Sequence, residues 1–145
     1  GSRSDEVVSQ VDFAATFAEI TGYDFSHEVA IDSYNILPAL TGEDYASPLR
    51  KATVQNTSKG QYALRQGDWV YINTHTGSGL NEPKAYLERF GLKTYSKDTP
   101  GLLFNLKDDL RQSSNVYSEN PERVSAMSEL LESYVAGERC APARN

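Results

Sequence analysis

The chain contains a single cysteine, which makes Cys140 a candidate nucleophile. It opens the string Cys-Ala-Pro-Ala-Arg at positions 140–144, so a proline and an arginine follow closely. The string lies beyond Gly137, where the last predicted helix ends, and chain ends of this kind fray rather than hold a reactive group in place. We therefore predict a tail over residues 138–145 with an exposed, flexible thiol that is open to oxidation.

Two histidines are the next candidates for chemistry. Neither His27 nor His75 lies in a nucleophile-elbow or metalloprotease motif, and a Ser-His-Asp triad is defined by geometry rather than by the residues available. His27 is interpreted as a loop residue. His75 lies in a segment rich in Gly, Thr and Ser, and loops carry function more often than core elements do.

Residues 56–59 read Asn-Thr-Ser-Lys and supply amide, hydroxyl and ammonium groups. Such groups can hold a sugar hydroxyl or an anionic ester, although a polar turn between two strands explains them equally well. The first three residues also match the N-glycosylation pattern, which matters only in a eukaryotic secretory pathway. The predicted substrate-binding residues are Asn56, Ser58, Lys59 and His75.

Metal-binding patterns are weak in this sequence. Asp108 and Asp109 are adjacent acids without the spacing of a calcium loop, and no Cys/His set suits zinc. We interpret the acidic pair as a solvated turn, and we predict no metal or cofactor in this chain.

Helices are predicted at both ends of the sequence. Residues 7–21 form an amphipathic pattern that ends at Gly22, with Ser9 and Asp12 spaced as an acidic capping box. The core-facing stripe predicted there consists of Val8, Val11, Ala15 and Ala18, widened by Val7, Ala14 and Phe17. The last helix begins at Pro121 and ends at Gly137. Its predicted buried stripe is Val124, Met127, Leu130, Leu131 and Tyr134.

Strand patterns fill the middle of the chain. Residues 52–57 and 102–106 read as strands, and residues 61–73 read as a hairpin that turns at 66–68. Short helices are predicted around 36–40 and over 84–91. The order predicts an α+β fold, in which a small antiparallel sheet of about four strands packs against an N-terminal and a C-terminal helix.

Composition limits the classes of partner. A length of 145 residues suits one domain, divided here into a connecting helix (1–22), a sheet (52–106), a last helix (120–137) and a tail (138–145). The net charge of -6 argues against nucleic acid and against an anionic membrane as partners. No apolar run is long enough to span a bilayer.

Four phrases, in this order, resemble formylglycine-dependent sulfatases of the arylsulfatase type: VSQVDFAATFAEITGYD, DSYNILPALTGED, SKGQYALRQGDWVYIN and GLLFNLKDDLRQSSNVYSENPERV. The third phrase resembles the small-domain hairpin, in which Arg65, Gly67 and Trp69 match recurring residues. The fourth departs from the family, which usually has Asp-Pro followed closely by Glu where this chain has Leu110 and Gln112. The likeness covers nearly the whole chain.

The resemblance implies that the chain is the C-terminal subdomain of a sulfatase with the alkaline-phosphatase-like fold. The family's catalytic core comes earlier in the sequence and carries the formylglycine nucleophile and the calcium ligands. We therefore expect an inactive 145-residue chain. Its implied partners are the N-terminal catalytic domain of the same enzyme and a sulfated small molecule or glycan. The implied location of the parent enzyme is periplasmic or extracellular.

The resemblance also gives the candidate residues a role. The strand end at 56–59 and the loop at 75–80 would line one wall of the substrate cleft. Cys-x-Pro-x-Arg is the string that the family's maturation enzyme reads, but that motif belongs near the start of the enzyme, so we expect Cys140 to remain unconverted.

Two other interpretations remain open from the sequence. One is a stand-alone carbohydrate-binding module that uses Trp69 and Tyr86 as stacking residues. The other is a small complete hydrolase that uses Cys140 or His75. Turnover and binding by the isolated chain distinguish them.

Overall fold

A computed structural model describes residues 3–24, 28–46, 48–56, 60–75, 83–91, 98–137 and 140–141. The chain divides into two compact units, of which the first comprises residues 1–53 and 134–145 and the second comprises residues 54–133. In the described ranges, no helix combines the length and the apolar character needed to cross a membrane.

A four-stranded sheet dominates the second unit, with the strands in the order in which they occur along the chain. They are β1 (Thr53–Asn56), β2 (Tyr62–Gln66), β3 (Trp69–Ile72) and β4 (Leu102–Asn105). β3 pairs antiparallel with both β2 and β4. The predicted α+β class with a small antiparallel sheet is confirmed.

The β2–β3 hairpin turns within two residues, as its sequence predicts. Gln66 faces Trp69 in the register, which leaves Gly67 and Asp68 as the loop. Gly67 has a φ of 56°, the positive value that tight hairpin turns require and that glycine adopts without a steric penalty. This turn fixes which end of the sheet carries the other connections.

The sheet is covered by the last helix, α4 (Pro121–Ala136). Met127 and Leu131 are buried on its inner face, which confirms the predicted stripe. The Tyr71 hydroxyl lies 3.4 Å from the Ser128 hydroxyl, and the Arg123 guanidinium stacks 4.4 Å from the centre of the Trp69 ring. Burial of large apolar side chains from strand and helix supplies most of the stability of such a layer.

The outer edge of β4 is protected by the segment that follows it. Leu103 donates its amide hydrogen to the Asn115 side chain at 2.9 Å and accepts one from Val116 at 3.0 Å. A Cβ atom on Gly101 would lie 2.7 Å from the Tyr117 ring, so only glycine permits this close approach. The edge is therefore occupied by the chain itself rather than left open for pairing with another strand.

Helices of the first unit follow the predicted pattern. A 3-10 turn (Gln10–Asp12) leads into α1 (Phe13–Thr21), which ends at Gly22 in the left-handed conformation. The Ser9 amide donates to the Asp12 carboxylate at 2.8 Å, as the predicted capping box requires. α2 (Leu37–Thr41) is the short helix expected in this region.

The predicted core stripe of the first helix is largely wrong. Val8, Val11 and Phe17 are 51%, 49% and 59% exposed, whereas Ala15 is buried. The inward face instead carries Asp12 and Thr16, which are 0% and 1% exposed. Polar contacts with the segment 33–36 orient this helix, and an apolar periodicity does not report such contacts.

Candidate functional site

One end of the sheet carries Asn56 and His75, the two predicted site residues that the structure describes. In an antiparallel meander the β1–β2 and β3–β4 connections leave from the same end, opposite the Gly67 turn. Asn56 is the exposed last residue of β1, and His75 is half-buried three residues after the end of β3. Ser58 and Lys59 lie outside the described residues. We call this region the site end of the sheet.

Backbone contacts fix the start of the β3–β4 connection. The Asn73 amide donates to the Tyr62 carbonyl at 3.1 Å, and the Asn73 side chain accepts from the Tyr62 amide at 2.8 Å. This pair closes the hairpin just before the chain reaches His75. The position of His75 is therefore set by a strand end rather than by an unanchored loop.

A short helix in this connection carries exposed aromatic and charged side chains. α3 (Lys84–Phe90) confirms the predicted element and buries none of its residues. Tyr86 and Phe90 are 46% and 57% exposed, with ring centres 4.7 Å apart. The Arg89 guanidinium lies 5.6 Å from the centre of the Phe90 ring. An aromatic and cationic surface therefore belongs to the loop that leaves the site end.

A buried arginine forms a polar cluster in the first unit, and no sequence motif predicted this cluster. Arg50 is 2% exposed and forms an ion pair with the fully buried Asp12. It also donates to the carbonyl oxygens of Asp32 at 3.0 Å and Ala52 at 3.4 Å. Its guanidinium lies 4.4 Å from the centre of the Tyr34 ring. We call this cluster the Arg50 centre.

The carboxylate of Asp12 connects the Arg50 centre to two segments. It accepts hydrogen bonds from the backbone amides of Ser9 and Tyr34 as well as from Arg50. Nearby, Thr16 donates to the Asp12 carbonyl at 2.7 Å and accepts from the Ile36 amide at 3.1 Å. A buried ion pair with this many partners holds structure together, and its groups are not available to a substrate.

Cys140 is part of the same centre, which corrects the prediction of an exposed, flexible tail at this residue. Its amide donates to the Asp32 carboxylate at 2.7 Å, and its carbonyl accepts from the Tyr34 hydroxyl at 2.7 Å. The thiol is half-buried, and Ala141 is buried. Sequence position alone suggested fraying, whereas long-range hydrogen bonds fix these two residues.

Burial raises the pKa of the Cys140 thiol, and the hydrogen bond and charge of Asp32 raise it further. The thiolate, which is the nucleophilic form, is therefore disfavoured near neutral pH. Burial likewise raises the pKa of the Tyr34 hydroxyl. Neither group has the properties of an activated nucleophile.

Asp109 closes a surface turn. Its carboxylate accepts from the amides of Ser114 at 2.8 Å and Ser113 at 2.6 Å, and from the Ser113 hydroxyl at 3.0 Å. These hydrogen bonds, that from the Ser114 amide foremost, lower the pKa of Asp109 below its ordinary value. Within the described ranges, no three His, Cys, Asp or Glu side chains converge as a metal site. The carboxylate of Asp109, already bonded to Ser113 and Ser114, does not fit the ligand set of a calcium ion.

A shallow cavity of about 630 Å³ lies beside the start of α4. Its lining includes the Tyr117 ring, the hydroxyl groups of Thr99, Ser125 and Ser128, and the carboxylate of Asp98. None of the described residues that line it is a cation, so it does not suit a sulfate group.

Comparison with known proteins finds similarity to a sulfatase sequence. No family model matches it. It is 30% identical over 132 residues to the N-acetylgalactosamine-6-O-sulfatase of Bacteroides thetaiotaomicron, which covers 91% of this chain and 24% of that protein. The chain therefore spans about a quarter of the length of the curated relative it matches.

Solved structures give the same result. A 6S-sulfatase from work on glycosaminoglycan metabolism by Bacteroides thetaiotaomicron is 27% identical, with a TM-score of 0.62 over 84% of this chain and 24% of that chain. A structure solved in complex with its substrate D-glucosamine-2-N,6-O-disulfate shares the fold, with a TM-score of 0.54 and 20% identity over 83% of this chain. The homology and the partial coverage are consistent with the resemblance found in the sequence, that of a sulfatase C-terminal subdomain.

Proposed function

From a chain that is homologous to sulfatases and consistent with their C-terminal subdomain, we propose that the parent protein hydrolyses sulfate esters on a carbohydrate, and that this chain shapes the substrate cleft. The observation that carries the proposal is the 30% identity to a carbohydrate sulfatase over 91% of the chain. The alternative aryl substrate has no such relative among the proteins compared above.

Catalysis itself is assigned to the rest of the parent protein. Transfer of a sulfuryl group develops negative charge on oxygen, and several preorganised cations or a metal must stabilise it. Among the predicted site residues the sequence offers one lysine, Lys59, which lies outside the described residues, and one histidine, His75. We propose that the calcium and the formylglycine lie in the catalytic domain. We propose no activity for the 145-residue chain alone.

The proposed role of the site end is to contact the sugar that carries the sulfate. Asn56 ends β1 and His75 follows β3, so both lie at the same end of the sheet with β2 between their strands, and residues 57–59 follow Asn56 in sequence. Amide, hydroxyl, imidazole and ammonium groups suit a polyhydroxylated ligand with an anionic substituent. The strands beneath them provide a rigid base, which a binding surface needs to orient its ligand.

The catalytic domain is the proposed partner of helix α1. Phe13, Phe17 and Ile20 share one face of this helix and are 47%, 59% and 57% exposed. The Phe13 and Phe17 rings stack with centres 5.8 Å apart. An uncharged apolar face of this kind is the usual core of a contact between protein surfaces. Three quarters of the relative's length lies outside this chain and supplies the proposed occupant.

Kinetics of the parent enzyme test the cleft proposal. Lys59→Ala and His75→Ala should each lower kcat/KM for a sulfated oligosaccharide by about tenfold. Lys107→Ala is the matched control, because Lys107 is exposed and follows β4 at the opposite end of the sheet. Unchanged kcat/KM for both site-end variants would exclude the cleft role.

A stand-alone carbohydrate-binding module would stack a sugar on Trp69 and Tyr86, and the Trp69 ring is already in contact with another side chain. Trp69 is half-buried, and Arg123 covers its ring at 4.4 Å. Binding of a sulfated oligosaccharide by the 145-residue chain, with no sulfatase activity in the parent protein, would favour the module.

A further inference from the structure

We propose that helix α3 binds a sulfated sugar next to the one that is hydrolysed, with Tyr86 and Phe90 as the stacking surface and Arg89 as the contact to an anionic group. This inference rests on the proposed sulfatase function and goes further, because it assigns a glycan subsite to α3, of which the sequence singled out only Tyr86 as a possible stacking residue.

The aromatic pair is presented outward at a spacing that suits a sugar ring. Tyr86 and Phe90 are separated by one helical turn, so both side chains lie on one face of α3. Their rings are 4.7 Å apart and tilted by 49°, which forms a shallow angled surface rather than a flat stack. The apolar face of a pyranose can lie against such a surface while its hydroxyl groups remain in water.

One cation lies beside the aromatic pair. The Arg89 guanidinium lies 5.6 Å from the centre of the Phe90 ring, whereas the Lys84 ammonium lies 3.6 Å from the Glu88 carboxylate. Helix α3 therefore carries two positive charges and one negative charge within seven residues, in a chain whose net charge is -6. A guanidinium beside a ring offers two parallel N–H donors to sulfate oxygens, as it does to carboxylate or phosphate oxygens.

The positive charge of Arg89 favours an anionic glycan as the occupant of this surface. The outer face of α1, with Phe13, Phe17 and Ile20, is apolar and uncharged, whereas α3 places a guanidinium beside its rings. A contact between α3 and the catalytic domain is the other outcome of the test below, because arginine and aromatic residues are also common at protein interfaces.

The place of α3 in the chain order motivates a neighbouring subsite. The β3–β4 connection begins at the site end with His75, carries α3, and returns to the same end at Leu102. The proposal puts the next sugar of a longer glycan on α3, while residues 76–82 and 92–97 of the connection lie outside the described part of the chain. The contact would orient a longer substrate, so α3 acts in positioning and takes no part in bond cleavage.

Two substrates of different length test the proposal in the parent enzyme. For a sulfated tetrasaccharide, Tyr86→Ala, Phe90→Ala and Arg89→Gln should each raise KM about fivefold with little change in kcat. For a small aryl sulfate, which cannot reach α3, the same variants should leave kcat and KM unchanged. Arg89→Lys should recover part of the lost affinity, because it keeps the charge and loses the paired donors.

Leu110→Ala and Arg111→Gln serve as matched controls, since both residues are exposed and lie in the turn that follows β4, away from the site end. They should leave both substrates unaffected. Equal KM values for the tetrasaccharide in wild type and in all three α3 variants would overturn the subsite. A lower Tm of the parent enzyme with an unchanged KM would show instead that α3 is a contact between domains, which also overturns it. If the wild-type parent protein hydrolyses neither substrate, the sulfatase proposal itself fails, and the two failures are thereby distinguished.

Discussion

The Arg50 centre and the site end of the sheet use similar side chains in opposite ways. In the Arg50 centre, an arginine, two aspartates, a tyrosine and a cysteine bond to one another and to the backbone, and Arg50 and Asp12 are almost fully withdrawn from water. At the site end, Asn56 is exposed and His75 is half-buried. The reactive-looking residues are thus structural, and the plain polar loop residues are the better binding candidates.

Desolvation explains this difference. A buried charge must be paired, and Arg50 and Asp12 pair with each other and with backbone groups, although the Arg50 Nε is buried without a hydrogen-bond partner. Side chains at a strand end can exchange water for a ligand at little cost. A residue's type therefore says less about its function than the bonds it already makes.

Removal of Asp12 should produce the largest effect on stability. Asp12→Ala leaves Arg50 buried without its counter-charge, and we expect the free energy of unfolding to fall by about 3–5 kcal/mol. Denaturant unfolding of the chain measures it. The control is Asp5→Ala, which breaks the exposed pair with Arg3 and should change stability by less than about 0.5 kcal/mol. Equal losses for the two variants would mean that the Arg50 centre is hydrated.

The outer face of α1 tests whether the first unit also has a docking role. Phe17→Ser should lower the Tm of the parent protein by about 2–4 °C, because an apolar contact with the catalytic domain is lost. It should leave the Tm of the 145-residue chain unchanged, since Phe17 is 59% exposed there. Leu110→Ser, at a residue that is 82% exposed, should change neither value. A drop in both proteins would assign Phe17 to the core of this chain.

The Cys140 thiol should react slowly. Burial and Asp32 raise its pKa, so less thiolate is present at pH 8 than in the unfolded chain, and alkylation by iodoacetamide should be slower in the folded chain than in urea. Asp32→Asn removes the charge that raises this pKa and should speed alkylation. A fast reaction of the wild-type chain, or an aldehyde at position 140 in its mass spectrum, would contradict a structural role.

The smallest expected effect is the loss of the stabilising contribution of Asp109, in the second unit, at acid pH. The folded pKa of Asp109 lies below its ordinary value, so its stabilising contribution is complete above about pH 4 and is lost as the pH falls through the folded value. Asp109→Asn should be slightly less stable than wild type at pH 7, and the difference should shrink below about pH 4. Thermal melts between pH 7 and pH 2 measure it. A constant difference across this range would exclude the titration of Asp109.

Most of the elements could be predicted because their signals are local. The hairpin around Gly67, the short helix before Gly91 and the last helix after Asn120 each depend on turn or cap chemistry within a few residues. The buried stripe of α4 was also predictable, since an apolar face against a sheet follows the helical period. The stripe of α1 was not, because its inward face is fixed by hydrogen bonds that the Asp12 and Thr16 side chains accept from the backbone amides of residues 34 and 36.

The candidate site was predicted only in part. The sequence selected Asn56 and His75 from their loop surroundings, and the strand order brings these loops to one end of the sheet. It selected Tyr86 only as a stacking residue of the alternative binding module and did not select Phe90 or Arg89, because seven residues of mixed aromatic and charged character have no distinctive period. Ser58 and Lys59 lie outside the described residues, so their role stays a prediction.

By itself, the sequence determined the order of helices and strands, the hairpin turn and the likeness to sulfatases, because these depend on short-range propensity and on matched phrases. Only the tertiary structure determined that Cys140 is held in a buried cluster instead of an exposed tail. Asp32 and Tyr34 hold it from 108 and 106 residues away in sequence, and no local pattern encodes such contacts. The free energy of the Arg50 centre comes from pairing charges that burial has separated from water, and that pairing exists only once distant segments have met.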